Sequence, residues 1–283
     1  MKTINFDKAY FDSTGHLFPL EIANDHNIFF HGTSSINERG IDELGLVYFN
    51  TSNLKVWSEL ASGIIDNLRT FYITEKTKFH YNVFESGAIL ILKLYTENDF
   101  KKSNKGKYEK PIFLTFNDKS ALLYALKSRA GGETIYALKE LEKDLHNTIN
   151  IYEDKEKKWQ EQYLQEKKGH LELGFTEDRI SPYEKPELSD FEKALVSLKG
   201  AFNYAKELES NHEYGCVYAI KLNEDDISNM QFDHSYVCLN KVPQSKILFK
   251  MKIPDNIDYA ENSWDNAMME KWDYWKDLVK RPN

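Results

Sequence analysis

Short apolar runs rich in β-branched and aromatic residues recur along this chain, each cut off from the next by a helical stretch or a polar loop. "GAILILKLY" stands between Gly87 and the loop "TENDFKKSNKGKYEK", and "PIFLTF" follows it with a strand over Ile112 to Thr115. "CVYAIKL", "SYVCLNKV" and "KILFKMKI" come late. Strands so scattered must pair across the helices between them, and they are too few for a barrel of parallel units. The spacing predicts a mixed α+β fold.

The helical stretches are equally plain. "LKVWSELASGIIDNLRTFY" places Leu54, Trp57, Leu60, Ala61, Ile64, Ile65 and Leu68 on one face at helical spacing. "SSINERGIDELGL" reads as a short helix closing on Gly45, and Asn117 and Asp118 open a helix that carries Ala121, Leu122, Tyr124 and Ala125. "GETIYALKEL" fits a strand or a helix start, and periodicity does not decide it. From about Leu141 to Leu173 Lys, Glu and Gln dominate, with Trp159 and Tyr163 four apart, which reads as an inserted and mostly solvated helix. A second stripe, Phe191 to Ala205, follows a proline-bearing loop. The expected organisation is a single domain over 1–283, with a helical insertion at about 139–210 and a C-terminal helix at about 263–280. In that last helix Trp264, Met268, Trp272, Trp275 and Val279 form a stripe that either packs on its own domain or docks an inhibitor or antitoxin.

Composition removes several function classes. With 283 residues and 41% hydrophobic content the chain buries a sizeable core, and a net charge of -8 gives no global basic field for nucleic acid. A local groove built from "KKSNKGKYEK" and the lysines of 155–168 remains open as a track for a phosphate backbone. Cys216 and Cys238 are too few for a disulfide scaffold or a cysteine-based zinc site, and buried free thiols are expected. No signal-peptide core and no bilayer-length apolar run occur, so a soluble, cytoplasmic protein without a membrane partner or bound metal is expected. Phosphate-binding-loop, zinc-hydrolase and serine-hydrolase motifs are missing.

One polar cluster stands directly behind a strand. In "IFFHGTS" the run Ile28, Phe29 and Phe30 suits a buried strand, and Gly32 lets the backbone approach something bulkier than a side chain. Two uses fit these letters. His31 is either hydrogen-bonded in the core, with Ser34 or Ser35 capping the next helix, or part of a binding site.

Three pieces in this order resemble the NAD-dependent ADP-ribosyltransferase superfamily, in its histidine-type branch of diphtheria-toxin-like and poly(ADP-ribose)-polymerase-like enzymes: "FFHGTSSINERGIDELGL", "PIFLTFNDKSALLYA", and "GCVYAIKLNEDDI" followed by "SYVCLNKVPQSKIL". They cover about a quarter of the chain. The resemblance implies a split, mixed or antiparallel β-sheet core with NAD as substrate. It assigns His31 to the adenosine ribose and Gly32 to the nicotinamide carboxamide, with Thr33 supporting the turn. It places Tyr124, with Phe113 and Thr115 on the preceding strand, against the leaving nicotinamide, where a ring face favours a developing sugar cation.

The third piece departs from the family. Ser235 stands where the branch carries a glutamate, so Asp233 and His234 before it are either a polar turn entering the strand or, with Asp233 two residues earlier on a continuing strand, the source of the expected catalytic carboxylate beside His31 and Tyr124. His234, Glu133 and Glu213 are further polar candidates. The implied activity is transfer of ADP-ribose from NAD to a macromolecular acceptor, RNA or DNA ahead of protein, by a toxin of a toxin–antitoxin pair or a phage-defence effector. Two alternatives remain: a non-catalytic module that binds NAD, ADP-ribose or a partner protein, and an RNA 2'-phosphotransferase-like enzyme.

Overall fold

The structure, a computed structural model, describes residues 1–47, 52–74, 76–81, 83–86, 92, 112–127, 133–233, 235–238, 241–254 and 256–257. In chain order the elements begin with β1 (Lys2–Asn5), α1 (Lys8–Thr14), α2 (Leu20–Ala23), β2 (Ile28–Ser34), α3 (Glu38–Leu44) and β3 (Leu46–Val47). Next come α4 (Ser52–Arg69), β4 (Thr70–Tyr72), β5 (Lys78–His80), β6 (Ile112–Leu114), α5 (Asp118–Lys127), α6 (Glu133–Asn150), α7 (Tyr152–Glu172) and α8 (Leu188–Ser210). The last are β7 (Gly215–Lys221), α9 (Glu224–Ser228), β8 (Gln231–Asp233), β9 (Ser235–Cys238), β10 (Lys241–Val242) and β11 (Ile247–Ile253). The fold is mixed α+β. The chain divides into two compact units, one made of 1–50, 97–136 and 206–283, the other of 51–96 and 137–205. The second unit thus draws on 51–96 as well as on most of the stretch expected as an insertion.

In the first unit a four-stranded sheet runs β1-β11-β7-β2, with β1 parallel to β11 and the other neighbours antiparallel. The central strand β7 is buried on both faces, which is why "CVYAIKL" is nearly all apolar. Alternation along β2 sends Phe29 to one side, with Ile41, Leu114 and Tyr218. Ile28 and Phe30 go to the other, with Ala121, Leu122 and Ala125 of α5. A second sheet runs β6-β9-β8, and one bridge, Phe30 to Thr115, ties it to the edge of the first.

Several expectations are revised. "SYVCLNKV" is two strands in different sheets, since β9 pairs with β6 and β10 with β3. Gly45 does end α3, and it is needed there twice over: its φ is 79°, and a Cβ would stand 2.3 Å from the Val242 carbonyl oxygen. From Glu133 on, "ETIYALKEL" resolves as helix within α6. The run 87–95, expected as a strand, lies outside the described residues except for Leu92, which is buried and helical. The expected C-terminal helix at 263–280 lies outside them altogether.

The second unit is helical around a cluster of rings. The Lys- and Glu-rich stretch is not one solvated helix: the chain breaks at Ile151 between α6 and α7, and α7 buries Lys155, Trp159 and Tyr163. Phe71 stacks on Tyr81 at 4.3 Å, and Trp159 stacks on Phe191 at 5.9 Å and meets Tyr152 edge-on. No helix among the described residues is long and apolar enough to cross a membrane.

Candidate functional site

Strand β2 lies between β7 on one side and a single bridge on the other. Phe30 N–H donates to the Thr115 carbonyl and Thr115 N–H to the Phe30 carbonyl, both at 2.8 Å. Backbone groups alternate in an antiparallel ladder, so Phe29, His31 and Thr33 bond toward β7, and the Gly32 N–H and C=O turn to the same edge as those of Phe30. There they meet no ladder partner among the described residues, because β2 and β6 part after that one bridge. A donor and an acceptor stand side by side at an open strand edge.

His31 spans the parting strands. Its Nδ1 lies 2.8 Å from the Phe113 carbonyl oxygen, which only accepts, so the proton sits on Nδ1. Burial holds the ring below the usual histidine range, against the opposing pull of the Phe113 carbonyl. The neutral ring therefore keeps an acceptor lone pair on Nε2. This is the core hydrogen bond expected of a structural histidine, and it also fixes the tautomer that receives a hydroxyl proton.

Gly32 has a packing reason of its own. A Cβ there would stand 1.7 Å from the Ala121 carbonyl oxygen and 2.9 Å from the Ala125 amide nitrogen, so the backbone of α5 occupies the space of a side chain. That contact brings α5, and with it the half-buried Tyr124 between those alanines, to the strand that carries His31. The buried Thr33 hydroxyl accepts from Asn37 Nδ2 at 2.9 Å. Ser34 Oγ accepts from Ile36 N–H at 3.3 Å and lies 2.7 Å from His212 Nδ1. The Thr115 hydroxyl is turned inward, donating to the Asn117 carbonyl at 2.7 Å, and Asn117 Oδ1 caps α5 through Ser120 N–H.

Asp233 does not continue the strand of Ser235. It ends β8 and pairs with Ser235, which starts β9, so the chain reverses between the two strands, as the polar-turn reading expected. Ser235 lies one residue beyond the Tyr236 to Leu114 pair, at the end of β9 nearest the Thr115 bridge, and Asp233 lies one strand further out. His234 falls outside the described residues. Glu133 begins α6, and Glu213 is exposed before β7, its N–H donating to Ser35 Oγ at 3.0 Å. His31, Gly32, Phe113 and Thr115 therefore come together, with Thr33 next along the same strand and Tyr124 on the flanking α5.

The sequence did not signal a charged cluster under the same sheet. Lys250, 6% exposed, donates to Glu38 Oε1 at 2.6 Å and to Asp42 of α3. Tyr214 donates to Glu38 at 2.5 Å, and Lys252 lies 3.2 Å from Glu38. Burial pushes the Glu38 carboxyl up, but hydrogen bonds from Lys250, Tyr214 and Lys252 outweigh it and hold the group below the usual range. Register explains the placement, since Lys250 pairs with Tyr218 and Lys252 with Cys216 on the face that α3 covers. The Cys216 thiol is pushed up to about 12, chiefly by burial, and is inert.

The expected basic track fares less well in α7. Lys155 is buried against Glu85, and Lys157, Lys167 and Lys168 pair with Asp154, Glu177 and Glu172. The loop 101–110 lies outside the described residues. Among the described residues no group of histidine, cysteine and acidic side chains is placed to hold a metal ion. In comparisons with known proteins, no family model matches the chain, and no curated protein or solved structure does either.

Proposed function

We propose that this chain is an NAD-dependent ADP-ribosyltransferase whose pocket opens where β2 and β6 part. The observation that carries the reading is the pairing of a neutral, Nδ1-protonated His31 with the unladdered N–H and C=O of Gly32 on one strand edge. A carboxamide needs one donor and one acceptor side by side, which Gly32 supplies, and a ribose hydroxyl needs an acceptor, which His31 Nε2 supplies. Tyr124 offers a ring to the nicotinamide from α5. The bond from the nicotinamide nitrogen to the ribose carbon breaks, the acceptor's nucleophile bonds to that carbon, and its proton is released. The sugar cation formed on the way calls for a nearby carboxylate. Asp233 is the candidate by its place in the β8–β9 hairpin.

RNA or DNA is the favoured acceptor class, resting on "KKSNKGKYEK" and the exposed Lys158, since Lys157, Lys167 and Lys168 of α7 pair with acids. A toxin or phage-conflict effector fits such an activity. Ser235 at the expected glutamate position favours a second reading, a non-catalytic module that binds NAD or ADP-ribose. Labelled NAD incubated with separate DNA, RNA and protein pools distinguishes them: label in one pool establishes transfer and acceptor, and binding without turnover establishes the module. His31→Ala is expected to weaken NAD binding by about 1–3 kcal/mol. Unchanged affinity in the folded variant removes the site. In an active enzyme, Asp233→Asn should lower turnover at least about 100-fold, and wild-type turnover removes that residue from the mechanism.

A further inference from the structure

The second unit holds a cavity of about 380 Å³, within the size range of small-molecule sites. Its apolar lining comes from Ile64 and Leu68 of α4, the ring of Tyr81, and Ala194 of α8. Its polar lining includes Asp190 and Lys193 on the first turns of α8, Asn67 of α4, Ser197 further along α8, and the exposed Glu184. Lys193 Nζ lies 3.2 Å from Asp190 Oδ1, and the two side chains are 73% and 43% exposed. An ion pair so open to solvent contributes little and is readily exchanged. Lys185, also on the wall, is spent on Tyr152, Glu156 and Glu187.

We infer that this cavity binds a free α-amino acid with an apolar side chain. An α-amino acid carries its ammonium and carboxylate on one carbon, a separation that matches the 3.2 Å of the Lys193–Asp190 pair. Laid alongside in the opposite sense, its carboxylate faces Lys193 and its ammonium faces Asp190, so entry leaves no charge unpaired. The second oxygen of Asp190 stays on the Glu187 N–H at 3.0 Å, which holds the carboxylate in place. The Asn67 amide and the Ser197 hydroxyl supply further neutral hydrogen-bonding groups for the ligand's head. The side chain then lies against the apolar lining of Ile64, Leu68 and Ala194.

Calorimetry on the full chain, without NAD, tests this independently of the transferase reading. L-leucine is expected to saturate one site. N-acetyl-leucine and leucinamide, each lacking one charge, are expected to bind at least about tenfold more weakly, and glycine, lacking the side chain, likewise. Lys193→Met should lose the preference for leucine over leucinamide, and Asp190→Asn, which keeps the acceptor for Glu187, the preference over N-acetyl-leucine. Absence of leucine binding overturns the inference, as does equal binding of either blocked form or of glycine.

Discussion

The two units bury their interiors by different means. The first packs aliphatic side chains on both faces of a sheet and encloses polar groups among them: His31 on the Phe113 carbonyl, Thr33 on Asn37, and Lys250 between Glu38 and Asp42. The second packs rings on rings, and the indole N–H of its central Trp159 meets no hydrogen-bond partner among the described residues. Ring area demands few partner atoms, although the Tyr81 and Tyr163 hydroxyls donate to the Glu184 and Ser181 carbonyls and Lys155 is buried on Glu85. Buried polar groups are exacting, because removing one partner leaves the other desolvated. The candidate site lies where the chain accepts that demand.

Substitutions can break this contrast. The largest expected effect is in the second unit, where Trp159→Ala should cost about 3–5 kcal/mol in urea unfolding, and Trp159→Phe much less because no hydrogen bond is lost. A loss under about 1 kcal/mol for the alanine variant would show that the ring cluster is not the core. In the first unit Lys250→Met should cost about 3 kcal/mol, the low end for a broken buried pair because Asp42 is partly exposed. Neutralising the whole set, with Glu38→Gln and Asp42→Asn added, should recover most of that loss. No recovery would mean that the lysine acts through its own packing and not through charge. Gly32→Ala should cost about 2–3 kcal/mol, as α5 retreats from a methyl group at the Ala121 carbonyl. A neutral effect would disprove the close approach of helix and strand.

Legibility follows the same division. The strand, turn and helix around His31 were readable because a β-run, a glycine and a capping hydroxyl are local signals, and of the two serines it is Ser34 that caps, at the 3-10 turn Ser35–Asn37 that leads into α3. Trp159 and Tyr163 were visible at helical spacing, but the lysines and glutamates around them read as solvent-facing, which hid the core they build. The burial of Lys250 in "KILFKMKI" left no local trace, because only the distant Glu38 and Asp42 on α3 make it tolerable. The division of "SYVCLNKV" was illegible for a similar reason, since its partners β6 and β3 lie far away in sequence. Local chemistry was readable; partners at long range were not.

The smallest predicted effect is the pH dependence set by His31, and it separates the two roles of the ring. The folded-state value lies below the ordinary 6.5, chiefly through burial. As pH falls through 6.5 the unfolded chain takes up a proton that the native ring refuses, so stability declines, with a slope of at most about 1.4 kcal/mol per pH unit. The decline ends once pH passes below the folded-state value. Other groups titrate in the same experiment, Glu38 among them at lower pH, so the measurement is the difference between wild type and His31→Gln, which carries no titrating ring. NAD affinity depends on the other nitrogen and should behave differently. It stays level as pH crosses 6.5, because the folded ring is still neutral, and falls only below the folded-state value, where Nε2 donates instead of accepting. Affinity that tracks 6.5 would mean that the ring titrates as if exposed, and both the burial of His31 and its fixed tautomer would then be wrong.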